Sequence, residues 1–313
     1  MTSHLQAGQL PPGVRVLERG WLSSNNIVIQ GQHDTAVIDT GYASHAAQTV
    51  ALVQAQLQGR PLNALLNSHL HSDHCGGNAA LQAAYPQAQT HIPPGQAAHV
   101  LPWNPAALFY EATGQQCPPF RFDALLQPGT SITLGGLAWQ IHAAPGHDPH
   151  SVIFFEPQSR CLLSADALWE NGFGVIFPEI EGERAFDAVA DTLDLIASLR
   201  PLLVVPGHGP VFSGGMAVDG ALARAHTRLA QFASNPLKHA RHAAKVLLKF
   251  KLLEWQRTPA AHLLAWAQST PYFELVHRRF FALEPRAQWL SQLIDELAAA
   301  GALERQQADL VNI

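Results

Sequence analysis

Residues 67–78 read Asn-Ser-His-Leu-His-Ser-Asp-His-Cys-Gly-Gly-Asn, which places His69, His71, Asp73 and His74 within six positions. An apolar run at 62–66, broken only by Asn63, leads into this segment and has the character of a buried strand. Gly76 and Gly77 follow, and are expected to let the chain turn sharply into a helix. On a strand-end loop, His69 and His71 can face one point while Asp73 and His74 face a neighbouring one. Imidazole nitrogen and carboxylate oxygen are the donors that zinc and other first-row divalent ions prefer. One ion cannot easily use all four groups from so short a segment. The pattern therefore predicts a paired site completed from elsewhere in the chain. The rival reading is a polar loop that happens to be rich in histidine, but structural histidines usually occur singly.

Three later places share one setting, an apolar run followed at once by His or Asp. His147 ends Ala-Ala-Pro-Gly-His after a run closing at His142, Asp166 ends Leu-Leu-Ser-Ala-Asp, and His208 sits in Val-Val-Pro-Gly-His-Gly-Pro. Ligands at strand ends, with Gly and Pro shaping the turns, are how a sheet protein gathers a metal site from distant sequence. Each place alone is weak, since Pro-Gly-His is only a turn. Together and in this order they are strong.

In that order the residues resemble the metallo-β-lactamase superfamily, whose motif is His-x-His-x-Asp-His, then His, Asp and His. Residues 69–74, 147, 166 and 208 match it one for one. The resemblance covers 14–212 and implies an α+β fold, the four-layer αββα sandwich of two packed sheets with helices outside. It implies that His69, His71 and His147 hold one metal ion, that Asp73, His74 and His208 hold a second, and that Asp166 bridges them. Asp39, in an Asp-Thr-Gly that looks like another family motif, would orient a ligand histidine. Two departures stand out. The family's Gly-His-Thr-Pro-Gly-His is shortened to Gly146-His147-Asp148-Pro149-His150, and its Ser-Gly-Asp becomes Ser164-Ala165-Asp166. Neither removes a ligand, but the first alters the surroundings of His150.

The expected cofactor is a pair of divalent metal ions, zinc first, with iron or manganese as alternatives. Two such ions about 3.5–4 Å apart lower the pKa of a shared water from 15.7 to roughly 7, so no Ser or Cys need be activated. Asp73 and Asp166 are then catalytic as well as ligating. His150 is the candidate proton donor for a poor leaving group. Cys75, beside His74, reads as a small packed thiol. A thiolate, with a pKa near about 8.5, leaves without a strong acid, which favours a thioester among small ester-like substrates. Trp169, Phe173 and Phe177 follow Asp166 and suit an apolar substrate wall. The glyoxalase II type shares the histidine motif, but its glutathione-binding C-terminal pattern is not evident. The alternatives are a metal-dependent ribonuclease, an iron-dependent oxidoreductase on the same scaffold, and a binding protein without catalysis.

Charge divides the chain. Residues 1–220 hold 7 Lys+Arg against 17 Asp+Glu, and residues 221–313 hold 12 against 7, within a net charge of −5. The step predicts a catalytic domain over 1–220 and a helical domain over 221–313. Helical patterns at 216–232, 238–255 and 288–300, a Thr258-Pro259 helix start, and a short strand or wing at 303–313 resemble the winged-helix appendage of one superfamily branch. That basic portion makes nucleic acid an alternative but disfavoured partner, beside a small-molecule substrate, and a homodimer is left open. No apolar run reaches about 18 residues, the first twelve residues lack the features of a secretion signal, and the three cysteines are scattered. These point to a cytoplasmic protein without a disulfide framework. Prolines and aromatics between 93 and 129 exclude long regular elements and suggest a lid or an insert.

Overall fold

The computed structural model describes residues 6–313. Alternation of inward and outward apolar residues builds two six-stranded sheets. The first runs β1 (Val14–Leu17), β2 (Asn26–Gln30), β3 (Thr35–Ile38), β4 (Ala64–Leu66), β5 (Gln89–Ile92), β6 (Ala124–Leu125), antiparallel up to β3 and parallel beyond it. The second holds β7 (Ser131–Leu134), β8 (Leu137–Ala143), β9 (Val152–Glu156), β10 (Cys161–Ala165), β11 (Leu203–Pro206) and β12 (Phe212–Ser213), paired in chain order with only β10 and β11 parallel.

Ile27 and Ile29 of β2 turn inward and meet Trp139, Ile141, Phe154 and Leu163 of the other sheet. Val28, between them, turns outward with Val37 and Leu65 onto α1 (Ala46–Leu57) and α3 (Asn78–Ala84), where Val53, Leu57 and Leu81 wait. A short helix, α2 (Ser72–Cys75), lies between β4 and α3. The second sheet sends Ile153, Phe155, Leu162 and Val204 outward against Val189, Leu193, Ile196, Val218 and Leu222. Helix, sheet, sheet, helix is the expected four-layer sandwich.

The part of the 93–129 segment before β6 is an insert, with α4 (Ala97–Val100) and α5 (Tyr110–Thr113) as its short helices. Its side chains Val100, Leu108, Tyr110 and Phe120 bury with Leu70 and Cys75 of the histidine loop. After α6 (Phe177–Glu181) and α7 (Phe186–Leu199) comes α8 (Gly215–Ser234), whose Val218, Ala221, Leu222, Ala225, Leu229 and Phe232 all pack into the sandwich's outer layer. The charge step at residue 220 therefore falls inside a helix that belongs to the sandwich. A break at Asn235 agrees better with the packing. There Asn235 caps α9 (Pro236–Trp255) by accepting from Lys238 N, with Pro236 in the first turn.

Beyond it, α9, α10 (Ala260–Ser269), α11 (Pro271–Phe280) and α12 (Arg286–Ala299) share a core of Leu247, Leu248, Leu263, Phe273, Trp289 and Leu293. The expected helix start at Thr258-Pro259 is instead a strand, β13 (Arg257–Pro259), with the helix beginning at Ala260. β13 pairs with β15 (Asp309–Asn312), which forms a hairpin with β14 (Leu303–Gln306). No described helix is long and apolar enough to cross a membrane.

Candidate metal centre

Seven predicted ligand side chains arrive from both sheets at one place. His69 and His71 leave the loop after β4, and Asp73 and His74 lie on α2. His147 follows β8, Asp166 follows β10 and His208 follows β11. Their donor atoms fall into two groups, His69 with His71 and His147, and Asp73 with His74, Asp166 and His208, each within 4.8 Å. His71 Nδ1 lies 3.1 Å from His69 Nε2 and 2.8 Å from His147 Nε2. His208 Nε2 is 3.1 Å from Asp73 Oδ2, and the His74 and His208 rings are 5.4 Å apart between centres. Asp166 reaches both groups, with Oδ2 3.4 Å from His147 Nε2 and Oδ1 3.4 Å from His74 Nε2.

Each imidazole is oriented by what its other nitrogen meets. His74 Nδ1 donates to Asp39 Oδ2 at 2.8 Å, and Asp39 in turn accepts from Ser68 N and Ser68 Oγ. His147 Nδ1 donates to the Val175 carbonyl, and His208 Nδ1 to that of Gly20. His71 is reversed. Its Nδ1 faces the cluster and its Nε2 lies 3.7 Å from Asp148 Oδ2.

The decisive atom is His74 Nε2, fully buried, without a hydrogen-bond partner among the described residues and aimed at the Asp166 and Asp73 carboxylates. A buried ring nitrogen without a partner is costly, and a cation held between it and the carboxylates removes that cost. The donor set, five imidazoles and two carboxylates, thus fits a pair of divalent ions. Burial, then the charges of His74 and His71, holds His69 well below its ordinary pKa, and burial followed by His71 brings His147 to about 4, so both are neutral donors. For His74 and His208 burial opposes protonation, yet the facing carboxylates, Asp166 foremost, outweigh it and raise both. Asp166 is likewise driven well below the carboxylate range by His74 and His208 against the effect of its own burial. Positive charge is required at this end, and a metal would take it over by displacing protons.

Backbone geometry sets these positions. Ala165 occupies the left-handed region at φ 45°, and a register shift between Leu163 and Ala165 swings Asp166 off the strand. A glycine is the easier occupant there, and alanine costs about 1–2 kcal/mol. Gly207 is needed for closeness, since a Cβ there would stand 2.2 Å from Asp166 Oδ1. Gly76 and Gly77 correct an expectation. Their φ angles, −62° and −86°, are ordinary helical values, so no special turn is made. A Cβ on either would collide with the backbone of Tyr42–Ala43 or Thr40, so close packing explains both glycines.

Residues 19–208, more than half of the chain, match the family model described as Metallo-beta-lactamase superfamily. The chain belongs to the metallo-β-lactamase superfamily. Among curated relatives, the Hydroxyacylglutathione hydrolase of Francisella tularensis subsp. holarctica is 25% identical over 60% of this chain and 66% of its own length. The chain thus spans slightly under two thirds of that relative. The superfamily member TTHA1429 from Thermus thermophilus superposes with a TM-score of 0.57 at 19% identity, over 97% of this chain and all of its own, and so shares the fold. TTHA1623, solved in a di-iron-bound form, is 27% identical with a TM-score of 0.53, over 68% of this chain and 98% of its own.

Beside this cluster of histidines and aspartates lies a cavity of about 560 Å³. Trp169, Phe173 and Phe177, expected as an apolar wall, all line it, joined by Trp21 and Phe109. Trp169 Nε1 donates to Asp166 Oδ1 at 3.3 Å, and Trp21 stacks on His208. His150 stands apart. Its ring packs against Gly95 in the insert, and it is not among the residues lining the cavity, so its position gives no support to the proton-donor role. Cys75 is a packed thiol directed at the Leu70 and His71 carbonyls.

Sequence reading missed Asp148, Ser68, Trp21 and Asn25. Asn25 fixes the His208 turn through the Pro206 and Gly209 carbonyls. The one visible hint was Asp148, an acid directly after a ligand histidine.

Proposed function

We propose that this chain is a binuclear metal-dependent hydrolase of small ester-like substrates, with thioesters first. The observation that carries the reading is Asp166, whose two oxygens face the two donor groups beside the orphaned His74 nitrogen. His69, His71 and His147 would hold one ion, Asp73, His74 and His208 the other, with Asp166 shared. When bound, such a pair supplies a water acidic enough to act as nucleophile at neutral pH and polarises the carbonyl oxygen. The chain's own part is orientation. Asp39 and the Gly20 and Val175 carbonyls fix the rings, Trp169 steadies Asp166, and Trp21, Trp169 and Phe177 give the acyl side an apolar wall. With His150 outside the cavity, a leaving group that departs without a proton donor is favoured, which supports a thioester over an RNA alkoxide.

The C-terminal helices with their β13–β15–β14 sheet read as a winged-helix-like unit over 235–313. Nucleic acid remains disfavoured, because the cations of α9 that face the rest of the unit are engaged internally. Arg241 and Lys245 pair with Glu296, Lys249 is bound by Ala302, Asn312 and Ile313 oxygens, and Lys251 by Glu254. Zinc is the first choice of metal. The di-iron form of TTHA1623 makes iron, and with it an oxidoreductase, the second reading. The test is a panel of thioesters, lactones, phosphodiesters and RNA assayed with and without chelator. Chelator-sensitive turnover of thioesters above the others is expected, and turnover of RNA alone would refute the reading.

A further inference from the structure

The cavity beside the metal centre has a second, chemically different wall. Helices α8 and α9 contribute Arg228, His242, Lys245 and Lys249, and α12 contributes Glu296. Three cations thus meet one carboxylate, and that carboxylate is already engaged by Lys245 and Arg241. Lys249 is likewise committed to its carbonyl and amide oxygens. Arg228 differs. It is half-buried, its guanidinium lies over Gly172, where a Cβ would stand 2.5 Å from Nη1, and among the described residues it has no hydrogen bond or carboxylate partner. Its planar fork is suited to an oxyanion, and a half-buried guanidinium facing an apolar cavity gains from one. The neighbouring His242 stacks on Phe232 and is kept neutral by burial and by the charges of Arg228, Lys245 and Lys238, so it is free to add a neutral hydrogen bond.

We propose that Arg228, with His242 beside it, is an anion-binding subsite, and that the substrate is an amphipathic molecule carrying a carboxylate or phosphate separated by an apolar stretch from the bond that is cleaved. The apolar stretch would lie along Phe173 and Phe177. The proposal deepens the hydrolase reading and rests on it only for the cleaved bond, because the subsite is built without the metal ligands.

The test therefore begins with binding to chelator-treated protein, where no metal ion can capture an anion. 6-Phenylhexanoate, 6-phenylhexanamide and 6-phenylhexyl phosphate are titrated against the full chain and followed by calorimetry. The two anions are expected to bind at least about tenfold more tightly than the amide, the gain of one charge-assisted hydrogen bond. In Arg228→Gln that gap should close while amide affinity stays, and Arg228→Lys should restore part of it. Equal affinity for anions and amide, or an intact gap in Arg228→Gln with its melting temperature unchanged, would overturn the subsite. A carboxylate-tailed thioester and its methyl ester then separate the two readings on metal-loaded protein. No turnover of either, with the binding gap present, removes the hydrolase and leaves the subsite. Turnover of both at equal kcat/KM removes the subsite and leaves the hydrolase.

Discussion

At the scale of single residues, the orienting partners make the sharpest claims. Asp148 is 3% exposed and stands behind His71 Nε2, so Asp148→Asn should weaken metal binding by about 10–100-fold with the fold retained, as read by competition with a chromogenic chelator. Unchanged affinity would mean that His71 is oriented by something else. His239 offers a pH test away from the ligands. Its Nε2 accepts from Ile176 N, next to the Val175 carbonyl that orients His147. Burial, then the charge of His242, brings it from 6.5 to about 3. The unfolded chain binds this proton more readily, so the stability it contributes is complete above about pH 6.5 and falls as pH drops towards 3. His239→Gln should flatten that acid limb in urea melts from pH 7 to 4, whereas a limb as steep as in the parent would contradict the assignment.

At the scale of elements, the histidine and aspartate loops were legible, and so was Asp39 behind His74, but their other supports were not. Strands at 35–38, 89–92 and 131–134 follow from local pattern alone, and so do His69 to His74, because their spacing is local. Asp148, Ser68 and Asn25 act across the fold on groups distant in sequence, as with Asn25 on Pro206, and no local period marks them. The glycines show the same limit. Gly76 and Gly77 read as turn residues, yet their cause is the backbone of Thr40 to Ala43, invisible until the fold closes. Likewise a short run, Arg-Thr-Pro, carries helix-start chemistry but is recruited as a strand by β15. Gly207 gives a prediction at this scale. Its backbone suits alanine, so Gly207→Ala should keep the sheets by circular dichroism while pushing Asp166 aside and abolishing tight metal binding. Full metal binding in that variant would show that Asp166 has room to move.

For the whole molecule, the charge step at residue 220 lies in the interior of α8, which packs on the second sheet. What joins the parts is a buried polar network. Lys251, 3% exposed, donates to Glu254 Oε2 at 2.6 Å and to the Gly114 carbonyl at 2.9 Å, while Tyr42 Oη donates to the same Glu254 oxygen and accepts from Gln116 N. Sandwich, insert and helical unit meet there. Lys251→Met leaves Glu254 buried without its cation and should cost about 3–5 kcal/mol in denaturant unfolding, with Lys251→Met/Glu254→Gln recovering a large part. A loss below about 1 kcal/mol would show that the network is marginal to the assembly.

The central claim is that side chains from seven positions in two sheets hold a pair of ions. Elemental analysis of the purified chain, repeated for His71→Ala and Asp166→Ala, measures this directly. Two metal equivalents per parent chain are expected, with loss in both variants while circular dichroism stays native. Full retention of metal in either variant, or a parent chain that binds none after incubation with zinc or iron, would contradict it.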